Sequence, residues 1–396
     1  MKYNFETIGK RYYTGSGKWD ELLEHGVGEG EDIIPFSVAD MEFETAPEIV
    51  AALKEELDRY VLGYANPTPE YLDTVCRWMK ERHGWDARPE WILPEHGIVE
   101  AFFHAVQIFT REGEGVMLLT PVYYPMYQAV QNNNRVLVDC PLIHRAGRYE
   151  IDFEDFERKA ADKNTKLFIL CSPHNPVGRI WLREELERIS EICLKHHVLV
   201  LSDEIHFDLV MPGYRHTVFA SLSEEAANNC VVCTAPSKTF NLAGLQTSNI
   251  FIPNPGLRKQ FLDHLLRSST NPKCNILGYR ACEAAYKHCT PWLEQAIQVI
   301  DTNRKLITGF LAQTLPQIKV TRLEATYLLW LDCRGLGLDS RELERINHQQ
   351  ARLFFDEGYI FGPQGAGFER WNLACPTRYI QEALERMAEV YPKYIK

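Results

Sequence analysis

Four short apolar runs in this chain are each followed at once by residues that can do chemistry. Pro121-Val122-Tyr123-Tyr124-Pro125 follows Gly115–Thr120, and Ser172-Pro173-His174-Asn175-Pro176 follows residues 166–171. Asp203-Glu204-Ile205-His206 follows residues 198–202, and Ala235-Pro236-Ser237-Lys238 follows Cys230–Thr234. Each has an ordinary reading on its own. A lone Asp at such a point is most often a helix cap, and Asn between prolines is usually a turn. Together and in this order they offer an aromatic pair, an amide, an acid and a lysine. That set suits a flat, anionic, carbonyl-bearing ligand. A lysine amine forms an imine only when neutral, and burial or nearby cations depress its pKa. The same amine, once released, can remove a proton from a neighbouring carbon. A carboxylate favours the protonated form of a ring nitrogen beside it. Arg370 can grip a carboxylate through its two-pronged guanidinium. Gly97 precedes an apolar helical run, residues 98–108. Free N–H groups at such a helix start suit a phosphate.

These residues need a scaffold that brings strand ends together. The apolar runs, with Ser248–Phe251 added, are continuously hydrophobic rather than alternating. That pattern belongs to strands buried on both faces of a mostly parallel sheet. Helical patterns lie between them, such as residues 182–196 with Leu182, Leu186, Ile189, Ile192 and Cys193 at helical spacing. The strand–helix rhythm gives a doubly wound α/β domain, in which ligands bind at the carboxyl ends of the strands. After about residue 280 a long helical region runs to about Leu315. Apolar strands follow, including residues 327–332, and then a closing helix near residues 381–390. We therefore expect an α/β fold in three parts. Residues 1–47 form an N-terminal arm and part of the small domain, packed on that domain or on a partner subunit. Residues 48–280 form the large domain, and residues 281–396 a smaller α+β domain.

Four strings carry a family likeness: Val38-Ala39-Asp40-Met41-Glu42-Phe43, Asp203-Glu204-Ile205-His206, Ser237-Lys238-Thr239-Phe240-Asn241 and Arg370-Trp371-Asn372-Leu373-Ala374-Cys375-Pro376. The chain resembles the fold-type I pyridoxal-phosphate enzymes, the class I/II aminotransferase superfamily, over nearly its whole length. Within it, the chain is similar to the cystathionine β-lyase-like C–S lyases. The resemblance implies a PLP-dependent transferase-like large domain and pyridoxal 5′-phosphate as cofactor. It implies that Lys238 forms the imine with the cofactor aldehyde and that Asp203 pairs with the pyridinium nitrogen. Asn175 would bond the phenolic oxygen and Tyr123 would stack on the ring. Ser237 and the backbone amides of Ile98 and Val99 would hold the phosphate. Tyr64 would reach the phosphate of the neighbouring subunit's cofactor, which implies a homodimer. Arg370 would bind the substrate α-carboxylate, with Ala39 also at the substrate. His206 stands where aspartate aminotransferases have a Tyr touching the phenolic oxygen. Ala235 and Gln246 stand where those enzymes have a phosphate-binding Ser and Arg, which weighs against a near relationship to them. Glu100 replaces a frequent Pro, and its side chain is expected to point away from the phosphate.

The implied reaction is β-elimination from an S-substituted L-cysteine, giving a thiol, pyruvate and ammonia. Lys238 and Tyr123 are both candidates to protonate the departing sulfur. An aminotransferase is the first alternative, using the same site and first proton transfer. A regulatory binding protein with a vestigial site is the second, and the presence of Lys238, Asp203, Asn175 and Arg370 weakens it. A nicotinamide dehydrogenase would need a G-x-G-x-x-G turn, which is absent.

Composition sets the outer limits. With 43 basic and 54 acidic residues the net charge is −11, which argues against nucleic-acid or anionic-membrane partners. A hydrophobic content of 45% excludes general disorder. No apolar run approaches a membrane span, and the first residues lack a signal-peptide pattern, so a cytoplasmic location is expected. Eleven scattered cysteines do not form a disulfide framework. Cys230-Val231-Val232-Cys233 reads as part of a buried strand rather than a redox or metal motif, and no metal is expected. Residues 26–30 form a glycine cluster that reads as loop. Residues 362–367 read as a mobile loop before Arg370 that could gate substrate.

Overall fold

The computed structural model describes residues 2–7, 9–25, 32–59, 61–268 and 270–394. The glycine cluster at 26–30 lies outside them. Seven strands form the central sheet: β1 (Ile92–Glu95), β2 (Gly115–Thr120), β3 (Val136–Pro141), β4 (Thr165–Cys171), β5 (Leu199–Asp203), β6 (Cys230–Thr234) and β7 (Ser248–Phe251). Their spatial order is β1-β7-β6-β5-β4-β2-β3, and β7 alone runs against the direction of the other six.

The uninterrupted apolar runs have the expected cause. Along β4, Phe168 and Leu170 enter one core while Leu167, Ile169 and Cys171 enter the other, on the opposite face. Alternate residues of one strand thus bury into two separate layers. Cys230 and Cys233 lie buried on β6 as free thiols.

Four more strands build a second, fully antiparallel sheet: β8 (Lys319–Val320), β9 (Leu328–Asp332), β10 (Asp356–Glu357) and β11 (Phe368–Asn372), in the order β8-β9-β11-β10. The helix Thr290–Thr314 precedes it and Thr377–Val390 closes it. The expected division near residue 280 falls inside the helix Ile276–His288, which packs against Pro47–Leu57 and Pro69–His83. The N-terminal arm joins the second sheet's surroundings. Ile34-Pro35 pairs in parallel with Leu353-Phe354.

One expectation needs correction. Residues 362–367 are not a free loop. Residues 363–365 form a short 3₁₀ turn that packs back to back against the preceding one, Gly358–Phe361. A Cβ on Gly365 would come within 1.9 Å of the Gly358 carbonyl oxygen. Tyr127 Oη also donates to the Phe361 carbonyl at 2.9 Å. Two facing glycines let the backbones touch, so sequence flexibility here serves close packing.

Candidate active site

Because β2, β4, β5 and β6 are parallel, their carboxyl ends open on one edge. Cys171 of β4 pairs with Asp203 of β5, and Asp203 with Cys233 of β6. The segments after these ends therefore meet. They enclose a cavity of about 370 Å³. Its lining includes Ala39, Ile98, Val99, Tyr123, Asn175, Asp203, His206, Ser237 and Lys238. Of the residues singled out by sequence, Arg370 and Tyr64 are not on this wall. Tyr124, the second half of the aromatic pair, is also outside it and packs toward Phe361.

Each side chain is placed by local structure. Asp203 ends β5, and one of its oxygens accepts from the Ile205 N–H at 3.1 Å. Its neighbour Glu204 anchors that corner from behind, bonded to Ser202, His216 and the Phe219 N–H. Lys238 lies on a one-turn helix, Pro236–Thr239. Thr239 fixes that turn by donating to buried Asp208 at 2.9 Å, which also accepts from Trp78 and lies 2.7 Å from His83 Nε2. Asn175 sits in a turn closed by the Gly178 N–H bond to the His174 carbonyl at 2.8 Å. Gly178 has φ +67°, and a Cβ there would meet Leu323 at 2.5 Å. Gly97 leads into the helix Ile98–Phe109, whose first turn borders the cavity.

The electrostatics are those of a site lacking a counter-charge. Burial pushes the Asp203 carboxyl up to about 7. No cation lies within ion-pair distance of it among the described residues. Burial pulls the Lys238 amine down to about 8. It donates to the Ala39 carbonyl at 2.6 Å, and Tyr327 Oη donates to the same oxygen at 2.8 Å. Burial, aided by Lys238 and Arg370, holds His206 well below its usual range, so its ring is neutral. His206 Nδ1 is buried without a hydrogen-bond partner among the described residues.

Arg370 reaches the cavity through Asn175. Its Nη1 donates to Asn175 Oδ1 at 2.9 Å, which leaves the Asn175 amide nitrogen for the cavity. Its Nε donates to Asp356 Oδ2 at 3.1 Å, and its Nη2 contacts the same oxygen. The guanidinium also lies over the Phe361 ring at 4.6 Å. It is 2% exposed, so its orientation is locked before any ligand arrives.

Sequence reasoning missed the residues that hold the segment around Ala39. Asn372 donates to the carbonyls of Val38 (2.8 Å) and Asp40 (2.7 Å). Asn241 accepts from the Met41 N–H and donates to the Met41 carbonyl. Buried Lys18 pairs with Asp40 (2.9 Å) and Glu42 (3.1 Å). The strain they overcome is visible at Val38, which has φ +52°. A β-branched residue there is a true outlier, of the kind that gathers at functional sites. Asn372 and Asn241 were quoted in motifs, but no local pattern marks them as clamps. Tyr327 and Asp356 gave no signal either. Glu100 borders the cavity, half-exposed, with its carboxylate 3.5 Å from His96 Nδ1.

A model of the aminotransferase class I and II family matches residues 31–387. The chain belongs to this family. It is 43% identical over 385 residues to cystathionine β-lyase PatB of Bacillus subtilis, covering 97% of this chain and 98% of that one. Among solved structures it is similar to cystalysin of Treponema denticola, which contains a pyridoxal 5′-phosphate cofactor, with TM-score 0.97 and 47% identity over 99% of this chain and all of that one. It is also similar to the PLP-bound C–S lyase of Staphylococcus hominis, with TM-score 0.90 and 31% identity over 99% and 98% of the two chains.

The cavity fits that cofactor on its own evidence. Asp203 is a buried acid short of a cation, and His206 Nδ1 is an orphaned polar atom. Lys238 is a depressed amine, and both Ser237 and the start of the helix Ile98–Phe109 line the cavity.

Proposed function

We propose that this protein is a pyridoxal-phosphate-dependent carbon–sulfur β-lyase acting on S-substituted L-cysteines such as cystathionine. Substrate and water give a thiol, pyruvate and ammonium. The observation that carries the reading is the end-to-end 43% identity to a cystathionine β-lyase, in a chain whose Lys238, Asp203 and Asn175 share one cavity.

The bound cofactor supplies an electron sink that acidifies the substrate Cα–H. Asp203 holds the ring nitrogen's proton, Asn175 donates toward the ring oxygen, and Tyr123 covers the ring. His206 lies beside them with a neutral imidazole. Ser237 and the N–H groups of Ile98 and Val99 hold the phosphate, where the helix dipole favours an anion. Arg370 grips the α-carboxylate and so fixes which Cα bond faces the ring. Its existing bond to Asn175 ties substrate and cofactor recognition together. Lys238 takes the Cα proton. With a pKa near 8 it has a substantial neutral fraction at physiological pH. The Ala39 carbonyl, already its acceptor, sets where the amine rests. Lys238 or Tyr123 then delivers a proton to the leaving sulfur.

The reading includes a homodimer. Val61, Leu62 and Tyr64 are all exposed, Tyr64 fully, in the segment before the helix Pro69–His83. Tyr64 there completes the neighbour's phosphate site. Tyr64→Ala is expected to weaken cofactor retention in the dimer, measured by dialysis and absorbance. A fully active monomer by sedimentation overturns this. No helix among the described residues is long and apolar enough to cross a membrane. The free thiols suit the cytoplasm as its place of work.

The test is a product assay with L-cystathionine, cofactor and no 2-oxo acid. Stoichiometric pyruvate and ammonia are expected. Amino transfer that appears only with an added 2-oxo acid would make the protein an aminotransferase instead.

A further inference from the structure

The two short strands that hold Arg370 carry a second, unexplained arrangement. β10 and β11 pair with Asp356 opposite Arg370 and Glu357 opposite Glu369. Residues directly opposite share a face, and successive residues alternate faces. One face therefore bears an acid–base pair, the substrate anchor. The other bears two glutamates set directly against each other. Like charges in that position are destabilising unless something neutralises them.

Two more ligand-type residues converge on Glu357. Glu344 lies on the helix Ser340–Ile346, and His348 lies one turn later, in the π-turn Asn347–Ala351. Glu344 and His348 are spaced i,i+4, so they face the same way. One ligand atom from each of Glu344, His348 and Glu357 lies within 4.8 Å of the others. An ion bonded at about 2.1 Å holds its ligands at most about 4.2 Å apart, so the three need only small side-chain shifts.

The polar atoms here are left wanting. His348 Nε2 and Glu357 Oε1 are 3.1 Å apart, at ion-pair distance, and neither makes a hydrogen bond among the described residues. Glu369 is 2% exposed, and its Oε2 has no partner among the described residues. Glu21, from the helix Gly17–Glu24, also buries an unpartnered oxygen. Burial, with Asp356 and Glu357 nearby, pushes its carboxyl up to about 7. Among the described residues, two groups contact the Glu344 carboxylate. Arg341 and Tyr359 Oη engage one oxygen of Glu344, at 2.9 and 3.1 Å. Arg370 is spent on the other face. Buried polar groups are almost always satisfied, and several orphans in one place point to a missing ion.

We propose that Glu344, His348 and Glu357 bind one divalent transition-metal cation on the face of the small sheet opposite Arg370, with the buried Glu369 carboxyl on the same face beside them. One imidazole among carboxylates selects Mn²⁺, Co²⁺ or Zn²⁺ over Ca²⁺. This site is independent of the lyase reading and lies outside the cofactor cavity.

Mn²⁺ is the probe of choice, because it ignores the thiols. Chelator-treated holoenzyme is titrated while electron paramagnetic resonance follows free Mn²⁺. One bound equivalent per chain is expected, with nitrogen modulation from the His348 ring in the spin-echo spectrum. Glu357→Gln and His348→Gln are each expected to weaken binding at least about tenfold, and the second to erase the nitrogen signal. No binding at millimolar Mn²⁺ overturns the proposal. So does binding that both variants retain, or a wild-type spectrum without nitrogen coupling. That last reading needs no variant, so a poorly folding mutant does not blunt the test.

Discussion

The cavity has two walls built in different ways. The wall of Tyr123, Asn175, Asp203 and Lys238 rises from adjacent strand ends of one sheet, positioned by register. The other wall, Ala39 with Arg370 standing behind Asn175, is assembled from segments far apart in the chain. Lys238 and Ala39 are 199 residues apart, and Arg370 and Asn175 are 195 apart. The first wall is set by the sheet and stays set. The second depends on clamps, a strained Val38 and buried charge pairs. On the proposed function, the chemistry common to a family would sit on the first wall and substrate choice on the assembled one.

Substitutions can break that contrast. Lys238→Ala on the rigid wall is expected to cut turnover by at least about 10³-fold, since one amine holds the cofactor and moves the proton. It should leave the melting curve nearly intact and remove the imine absorbance. Arg370→Lys on the assembled wall replaces a fork with a point charge. The expected loss is about a hundredfold in kcat/KM, mainly through KM, with the absorbance unchanged. Equal loss of kcat alone would erase the distinction between the walls. Asn372→Ala removes two bonds to the carbonyls beside Ala39. Thermal or urea unfolding should show a loss of about 2 kcal/mol.

The smallest effect is a pH slope in cofactor-free protein. Asp203 is raised from 3.8 to about 7. The folded chain then holds that proton more tightly than the unfolded one, so stability falls as pH rises through this window. Lys238 is lowered from 10.5 to about 8. There the unfolded chain binds the proton more tightly, so this group adds stability as pH rises from 8 to 10.5. The melting temperature of wild type relative to Asp203→Asn should decline across the lower window. A flat difference would mean that Asp203 is solvated in the cofactor-free protein.

The same contrast explains what could be read from sequence. The strand-end residues were legible because a parallel sheet converts order along the chain into order in space. Apolar runs mark the strands, and the next residues mark the site. The clamps were not legible. Nothing near Asn372 in sequence tells that its amide spans the Val38 and Asp40 carbonyls. Asp356 looks like any surface acid until β10 lies against β11. The close packing at residues 362–367 was hidden for the same reason. Glycines that read as freedom are there because two backbones touch.

The pairing of Ile34-Pro35 with Leu353-Phe354 bears on how the molecule is made. Ala39 leaves the ribosome early, but the amide that fixes its neighbour Val38 belongs to Asn372, 334 residues later. The large sheet can form while synthesis continues, since its strands are complete by Phe251. A nascent chain can thus own the lysine, the acid and the asparagine of the first wall and still lack a place for substrate. Synthesis through Asn372, rather than formation of the large sheet alone, supplies the clamp on the Ala39 segment.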